Sequence, residues 1–308
     1  MYAIWNLTNK CPWDCKFCCV SAKQATIASK KAGLEQPAYE ELGLESKMEI
    51  LSQLIENGIK IDFSGGDALY FEDDYAVIGK AVECLPKNMI NVSTTGVVFS
   101  KRKFDMLTRV GKVEMTLDNL DSVANPWRPK GYNTASMRAL KKLAAAGIRC
   151  SAVTILYPLT AARENLASLH RWLCENRIPQ WDILKFSPVG RGSQYADLIL
   201  PDKEYLETMQ FVERLGGPIR IAFQHSLRAL AGKCACRAAR ETIGILPDGV
   251  VVSCAWALDH EGRPLNGFCL GKLPEEKLSG ILKRALDSPA YKNRPSSCRI
   301  LDYLGYGG

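Results

Sequence analysis

The chain has 308 residues, 47% hydrophobic and 24% charged, enough to bury one large core or a domain with a small appendage. Its formal net charge of +7 is compatible with an acidic electron-transfer partner, an anionic substrate or RNA, but an ordinary solvated basic surface is the favoured reading. No basic stretch followed by an apolar one opens the sequence, and no apolar run approaches membrane-spanning length, so neither secretion nor membrane insertion is expected and the cytoplasm is the expected location.

Strand-like runs alternate with amphipathic stretches. "YAIWNLT" (2–8) reads as the first strand, and "CPWDCKFCC" (11–19) follows it at once. In "KMEILSQLIENG", Met48, Leu51, Leu54 and Ile55 share one helical face, and Gly58 can end the helix. "IKIDFS" (59–64), "MINVSTT" (89–95) and "GKVEMTLD" (111–118) are the next strands. A helix is expected over 132–147, a strand in "RCSAVTILY" (149–157), a helix over 160–176 and a strand in "WDILKFSP" (181–188). Six such alternations predict right-handed βαβ units closing into a partial (β/α)6 TIM-like barrel, an α/β fold whose chemistry sits at the carboxyl ends of the strands.

The pattern changes after residue 200, so we expect a barrel over 1–200 and a small C-terminal region over 201–308. "LPDKEYLETMQFVERLGG" reads as a helix and "PIRIAF" as a short strand. "ETIGILPDGVVVSC" is a β-hairpin turning at Asp248-Gly249, and "EEKLSGILKRALDS" is a late helix.

Twelve cysteines are many for a chain of this kind, and in the cytoplasm they point to metal or redox chemistry rather than disulfides. Cys11, Cys15 and Cys18 form CxxxCxxC in the first βα loop. Close thiolates suit an iron–sulfur cluster, and three ligands would leave one iron of a [4Fe-4S] cluster open. A zinc site also uses close thiols, although structural zinc usually draws on two separated pairs. Cys19, adjacent to Cys18, is set aside as a ligand. The C-terminal region adds Cys234, Cys236, Cys254, Cys269 and Cys298, read as a metal staple for a subdomain with little core of its own, holding iron or zinc, or else as unligated thiols. Cys84, Cys150 and Cys174 are expected as buried packing residues, and His170 on a helix surface. A catalytic role is not expected of His225.

CxxxCxxC with Phe17 before the last cysteine resembles the signature of the radical S-adenosylmethionine (SAM) superfamily. "FSGGDAL" (63–69) resembles that superfamily's Gly-Gly-Glu motif, "STTG" (93–96) its polar SAM-contacting loop, and "MTLDN" (115–119) its fourth-strand segment. "SPVGRG" (187–192), "CRAARETIGILPDGVVVSC" (236–254) and "LGKLPEEKLSGIL" (270–282) resemble the subgroup with a C-terminal SPASM or twitch extension. Their order along nearly the whole chain makes the likeness convincing.

The resemblance implies a [4Fe-4S] cluster on Cys11, Cys15 and Cys18, with SAM contacted by Phe17, Gly65, Gly66, Asp67, Ser93, Thr95, Thr116 and Asp118. Asp67 is one methylene shorter than the family's Glu. Phe17 would pack on adenine or shield the cluster, and the two glycines would bring backbone close to the ligand. It also implies one auxiliary [4Fe-4S] cluster, the twitch form, on Cys236, Cys254 and Cys298, the fourth ligand being Cys234, another thiol or substrate. Cys269 falls outside this set, as a packing residue or a hydrogen-atom donor.

The implied reaction is reductive cleavage of SAM to a 5′-deoxyadenosyl radical that takes hydrogen from an unactivated C–H bond, followed by oxidation, crosslinking or epimerisation. The expected substrate is a ribosomally made peptide; the alternative is a small molecule such as an aminosugar, met by a dehydrogenase or epimerase. The cluster motif stands near the first residue, which suggests that a peptide would need a separate recognition protein. Flavodoxin or ferredoxin is the implied electron donor. A non-catalytic metal-binding module, RNA-associated or not, is the third reading, and the ordered set of SAM motifs argues against it and against a nucleic-acid partner.

Overall fold

The computed structural model describes residues 1–25, 41–97, 100–120 and 124–307. Its central sheet begins with β1 (Tyr2–Thr8) and continues through β4 (Lys60–Gly65), β5 (Ile90–Ser93), β6 (Lys112–Thr116), β7 (Cys150–Leu156) and β8 (Gln180–Lys185), each parallel to its neighbour. These are the six strands expected from the sequence. A seventh parallel strand, β9 (Arg220–Phe223), arises from "PIRIAF" and pairs with β8, so the partial barrel is one strand wider than expected. β2 (Lys10–Cys11) and β3 (Lys23–Gln24) form a separate two-stranded ladder.

Period-two alternation divides each barrel strand. In β1, Ala3, Trp5 and Leu7 face the helices, while Tyr2 and Ile4 face the interior. In β4, Ile61 and Phe63 pack outward and Lys60 and Asp62 inward; β6 places Val113 and Met115 outward and Lys112 and Glu114 inward. The outward set meets α1 (Leu44–Glu56), α2 (Glu72–Cys84), α3 (Lys101–Leu107), α4 (Tyr132–Ala145), α5 (Arg163–Glu175) and α6 (Asp202–Leu215) in one continuous apolar core. The inward set is polar and leaves a cavity of about 900 Å³.

After α7 (His225–Leu230), the C-terminal hairpin is β10 (Thr242–Ile245) and β11 (Val250–Val252). Its turn uses Gly249 at φ +87°, while the Asp248 carboxylate accepts the Val250 N–H at 3.2 Å. β10 lies parallel to β1, so the hairpin prolongs the barrel sheet, and a strand the sequence did not announce, β12 (Cys269–Lys272), closes the far edge. Ile243, Ile245, Val251 and Leu273 share the barrel's core. α8 (Leu278–Asp287), α9 (Pro289–Lys292) and α10 (Arg299–Tyr303) complete the chain. Among the described residues no helix is long and apolar enough to cross a membrane.

Cys150 is fully buried, as expected. Cys84, in the last turn of α2, is exposed, and Cys174 is half-buried, because α2 and α5 turn those positions away from the sheet.

Candidate active site

The thiol loop leaves the carboxyl end of β1. Its two ends are tied together where Lys23 N donates to Asn9 O and Ala25 N to Cys11 O, each at 2.7 Å. Within it Cys18 N donates to Cys15 O at 3.3 Å and Ser21 N to Cys18 O at 3.2 Å, while the Cys18 sulfur accepts the Ala22 N–H at 3.4 Å. Cys11 and Cys15 are buried. Burial and the charge of Asp67 push the Cys11 thiol well above its ordinary range; burial also raises Cys15, against the pull of the adjacent Arg128 guanidinium. Cys11 feels both Cys15 and Cys18, and Cys15 feels Cys18, so the three stand together. As thiolates they would be repelled by one another and by burial, and a bound multivalent cation would offset that cost. Three closely spaced thiols with no second separated pair fit an iron–sulfur cluster better than structural zinc.

The loop is gripped from the segment after β8. Arg191 N donates to Cys18 O at 3.0 Å, and its guanidinium donates to Cys15 O through Nε at 3.1 Å and Nη2 at 2.7 Å and to Ala22 O through Nη1. Gly190 sits at φ +57°, and a Cβ there would lie 2.4 Å from Cys19 O and 2.5 Å from Cys18 O.

The Gly65-Gly66-Asp67 turn packs against the strand leading into this loop. Gly66 N donates to Thr8 O at 2.7 Å and Asp67 N to Lys10 O at 3.0 Å. A Cβ would stand 2.3 Å from Thr8 O at Gly65 and 2.0 Å from Lys10 O at Gly66. Backbone does approach closely here, and what it approaches in the chain is the start of the thiol loop. Asp67 is wholly buried, and its two carboxylate oxygens accept Leu69 N, Thr94 Oγ1, Thr95 N and Thr95 Oγ1. Its side chain therefore holds the loop after β5.

Asp118, also wholly buried, pairs with Arg128 at 2.6 Å and accepts Ile155 N at 3.1 Å. Arg128 lies between the rings of Phe17 (4.6 Å) and Tyr132 (4.8 Å), and its Nη2 is buried without a partner beside Cys15. Phe17 is packed among Tyr157, Phe186 and Trp127. Thr116 hydrogen-bonds the Tyr132 hydroxyl.

Ser93 lies deeper, inside the barrel, with its hydroxyl 3.3 Å from Asp62 Oδ1 and 3.5 Å from Glu114 Oε2. Tyr2 donates to Asp62 Oδ2 at 2.5 Å, and Lys112 pairs with Glu114 and, at 3.4 Å, with Asp182. Burial and the neighbouring Glu114 lift the Asp62 carboxyl to about 7. Cys236, Cys254 and Cys298 line the same cavity. Cys254 interacts with both other thiols and is pushed up to about 12 by burial. Cys234 is not among the residues lining the cavity, although its thiol feels Cys236; its sulfur lies 2.8 Å from His225 Nδ1. Cys269 is exposed on the edge strand β12 and is not part of the cavity wall.

Thus the structure gathers Cys11, Cys15, Cys18, Phe17, Gly65, Gly66, Asp67, Thr95, Thr116 and Asp118 around the carboxyl end of the barrel, and Ser93, Cys236, Cys254 and Cys298 along its interior. Arg128, Asp62 and Glu114 were not anticipated. A charged residue on an inward-facing strand position is the one signal that could have marked Asp62 and Glu114; Arg128 lies in a loop with none.

The model of the radical SAM superfamily matches residues 5–170. SuiB of Streptococcus suis bound to its precursor peptide SuiA superposes with TM-score 0.72 at 17% identity over 95% of this chain, which spans 66% of that chain's length. SuiB bound to S-adenosylmethionine gives 0.70 at 17% identity over 94% of this chain and 66% of that one. Native anSMEcpe with bound AdoMet and the Cp18Cys peptide gives 0.64 at 14% over 94% of this chain and 80% of that one. Among curated proteins none matches the sequence. At these identities the structures bear on the fold alone.

Proposed function

The chain belongs to the radical SAM superfamily, and from that membership we propose that it is a SPASM/twitch-type enzyme acting on a C–H bond of a ribosomally made peptide. When bound, the [4Fe-4S] cluster and SAM supply the 5′-deoxyadenosyl radical that takes the hydrogen atom. The chain's own residues do the rest. Cys11, Cys15 and Cys18 hold the cluster, with Arg191 fixing their loop. Gly65, Gly66 and Thr95 form the SAM platform, with Asp67 as its brace. Asp118 holds Arg128 beside Cys15. The buried aromatic group around Phe17 keeps water from the thiols. A non-catalytic metal-binding module does not survive the family membership.

The observation that carries the subgroup assignment is the placement of Cys236, Cys254 and Cys298 on one wall of the barrel cavity. We assign these three thiols to one auxiliary [4Fe-4S] cluster carried by the region 201–308, with residues 1–200 supplying the first six strands of the barrel. The peptide reading is supported by fold likeness to two enzymes captured with peptides. A small-molecule dehydrogenase or epimerase is the second reading, favoured by a cavity of about 900 Å³, within the range of small-ligand sites. The net charge of +7 suits an acidic flavodoxin or ferredoxin donor.

The deciding experiment is iron content with Mössbauer spectroscopy after anaerobic reconstitution, for the wild type and for the variant with Cys11, Cys15 and Cys18 changed to Ala. Two clusters give about eight and about four irons per chain. About four and none would remove the auxiliary cluster. Production of 5′-deoxyadenosine with peptide rather than aminosugar candidates decides the substrate class, and solvent deuterium in the product marks epimerisation.

A further inference from the structure

We propose that the basic surface around Cys236 and Cys298 is the docking face for an acidic one-electron carrier protein. The inference deepens the donor reading above and rests on the auxiliary cluster proposed there. Segments 225–241 and 288–303 together hold seven Lys and Arg against two Asp and Glu, a net +5 in a chain of net +7. Arg228, Lys233, Arg237, Lys292 and Arg294 are exposed, and Arg240 and Arg299 are half-buried.

The two segments are held as one surface. Cys236 N donates to Pro295 O at 2.9 Å, Arg240 Nη1 donates to Tyr291 O at 3.2 Å, and Arg294 pairs with Glu241. Burial, then Arg237 and Arg228, and more weakly Arg294, hold the His225 imidazole below its ordinary range, so these three guanidinium groups surround one point. The thiols lie within this surface. Cys298 feels Cys236, Cys254 feels both, and Arg237, Arg240 and Arg299 line the same cavity as the three cysteines. Of the two carboxylates, Glu241 is shared by Arg237 and Arg294, and Asp302 stands near Cys298. Arg228, Lys233, Lys292 and Arg294 are outside the cavity lining. Positive charge that spreads beyond the cavity suits a protein-sized acidic face rather than a small anion held inside. Redox partners meet over small interfaces, and charge steers such encounters. Thiols at the centre of the patch favour an electron carrier over RNA.

The test measures binding of a purified acidic flavodoxin to the iron-loaded full chain by surface plasmon resonance, at about 50 mM and about 200 mM salt. One variant combines Arg228→Glu, Lys233→Glu and Lys292→Glu on the proposed face. A control combines Lys101→Glu, Arg149→Glu and Arg171→Glu, exposed elsewhere, with the same change of net charge. Wild-type binding should weaken with salt, the first variant should bind about tenfold or more weakly, and the control should stay within about twofold of wild type. Each single reversal on the face should show a smaller loss in the same direction, with an unchanged unfolding temperature. Equal loss in both combined variants, or no loss in the first, overturns the inference. So does a single-stranded RNA that binds through the same side chains in preference to flavodoxin. Iron is assayed in parallel on the chain with Cys11, Cys15 and Cys18 changed to Ala. About four irons there, with binding indifferent to the face, defeats this inference alone. No iron there defeats the auxiliary-cluster reading, and this inference with it.

Discussion

Thr95 donates its hydroxyl proton to Asp67 across 2.5 Å and directs its backbone N–H to the same carboxylate oxygen at 3.2 Å. With Thr94 on the other oxygen, a wholly buried carboxylate joins the end of β4 to the loop after β5. Asp67→Ala strands these donors without water, each at a cost of about 1–3 kcal/mol. SAM affinity should fall by about tenfold or more while iron content stays near wild type, as read by calorimetric titration beside an iron assay. Asp67→Glu should not rescue it, because one extra methylene in a filled site costs about 1–3 kcal/mol. Unchanged SAM affinity in Asp67→Ala would remove the bracing role.

Arg191 contacts three carbonyls of the thiol loop from outside it. Arg191→Lys keeps the charge and loses the planar fork. We expect both Arg191→Lys and Arg191→Ala to load less iron on the first cluster and to lose it faster in air, with the auxiliary iron retained. Equal loading and equal air stability in Lys and wild type would mean that charge alone suffices.

Two glycines give opposite predictions. Gly66→Ala drives a methyl to within 2.0 Å of Lys10 O, so the turn must separate from the thiol loop, and poor folding or loss of iron is expected. Gly79→Ala meets nothing within 4 Å inside α2 and should stabilise by about 0.5–1 kcal/mol. Thermal unfolding of both variants checks the pair; a tolerated Gly66→Ala would contradict the close approach.

Asp62 binds its proton more tightly in the folded protein than in the unfolded chain, because burial and Glu114 raise its carboxyl to about 7. Stability from this site is therefore greatest below the ordinary carboxylate range and falls as pH rises toward about 7, with little change above. Asp62→Asn cannot ionise. It should melt about 2–4 °C above wild type at about pH 8 and nearer to it at about pH 5. A gap that widens toward acid would reverse the assignment.

Sequence patterns were most informative where a side chain's role follows from spacing. Apolar strand-like runs located all six expected strands, and CxxxCxxC located the first thiol group, because both are local. Arg128 was invisible: its place between Phe17 and Tyr132 and against Asp118 depends on three separate segments meeting. Asp67 was legible as a site residue, but not the partners of its carboxylate, which come from the next strand. Ser93 looked like a ligand contact beside Thr95, yet pleating turns it into the barrel toward Asp62 and Glu114. The resemblance ranked Cys236 above Cys234 as a ligand, but the contact between Cys234 and His225, 2.8 Å apart, was not legible in the sequence.

The parallel pairing of β1 with β10 joins residues about 240 positions apart, Tyr2 with Thr242 and Trp5 with Ile245. β1 carries the thiol loop, so during synthesis that loop hangs from a strand with one bare edge until the hairpin has been made. An unpaired edge invites pairing with other chains, and a contact of such long range forms late. The consequence is an order of assembly: the strand beneath the first three cysteines gains its second edge only once residues 242–245 have been made.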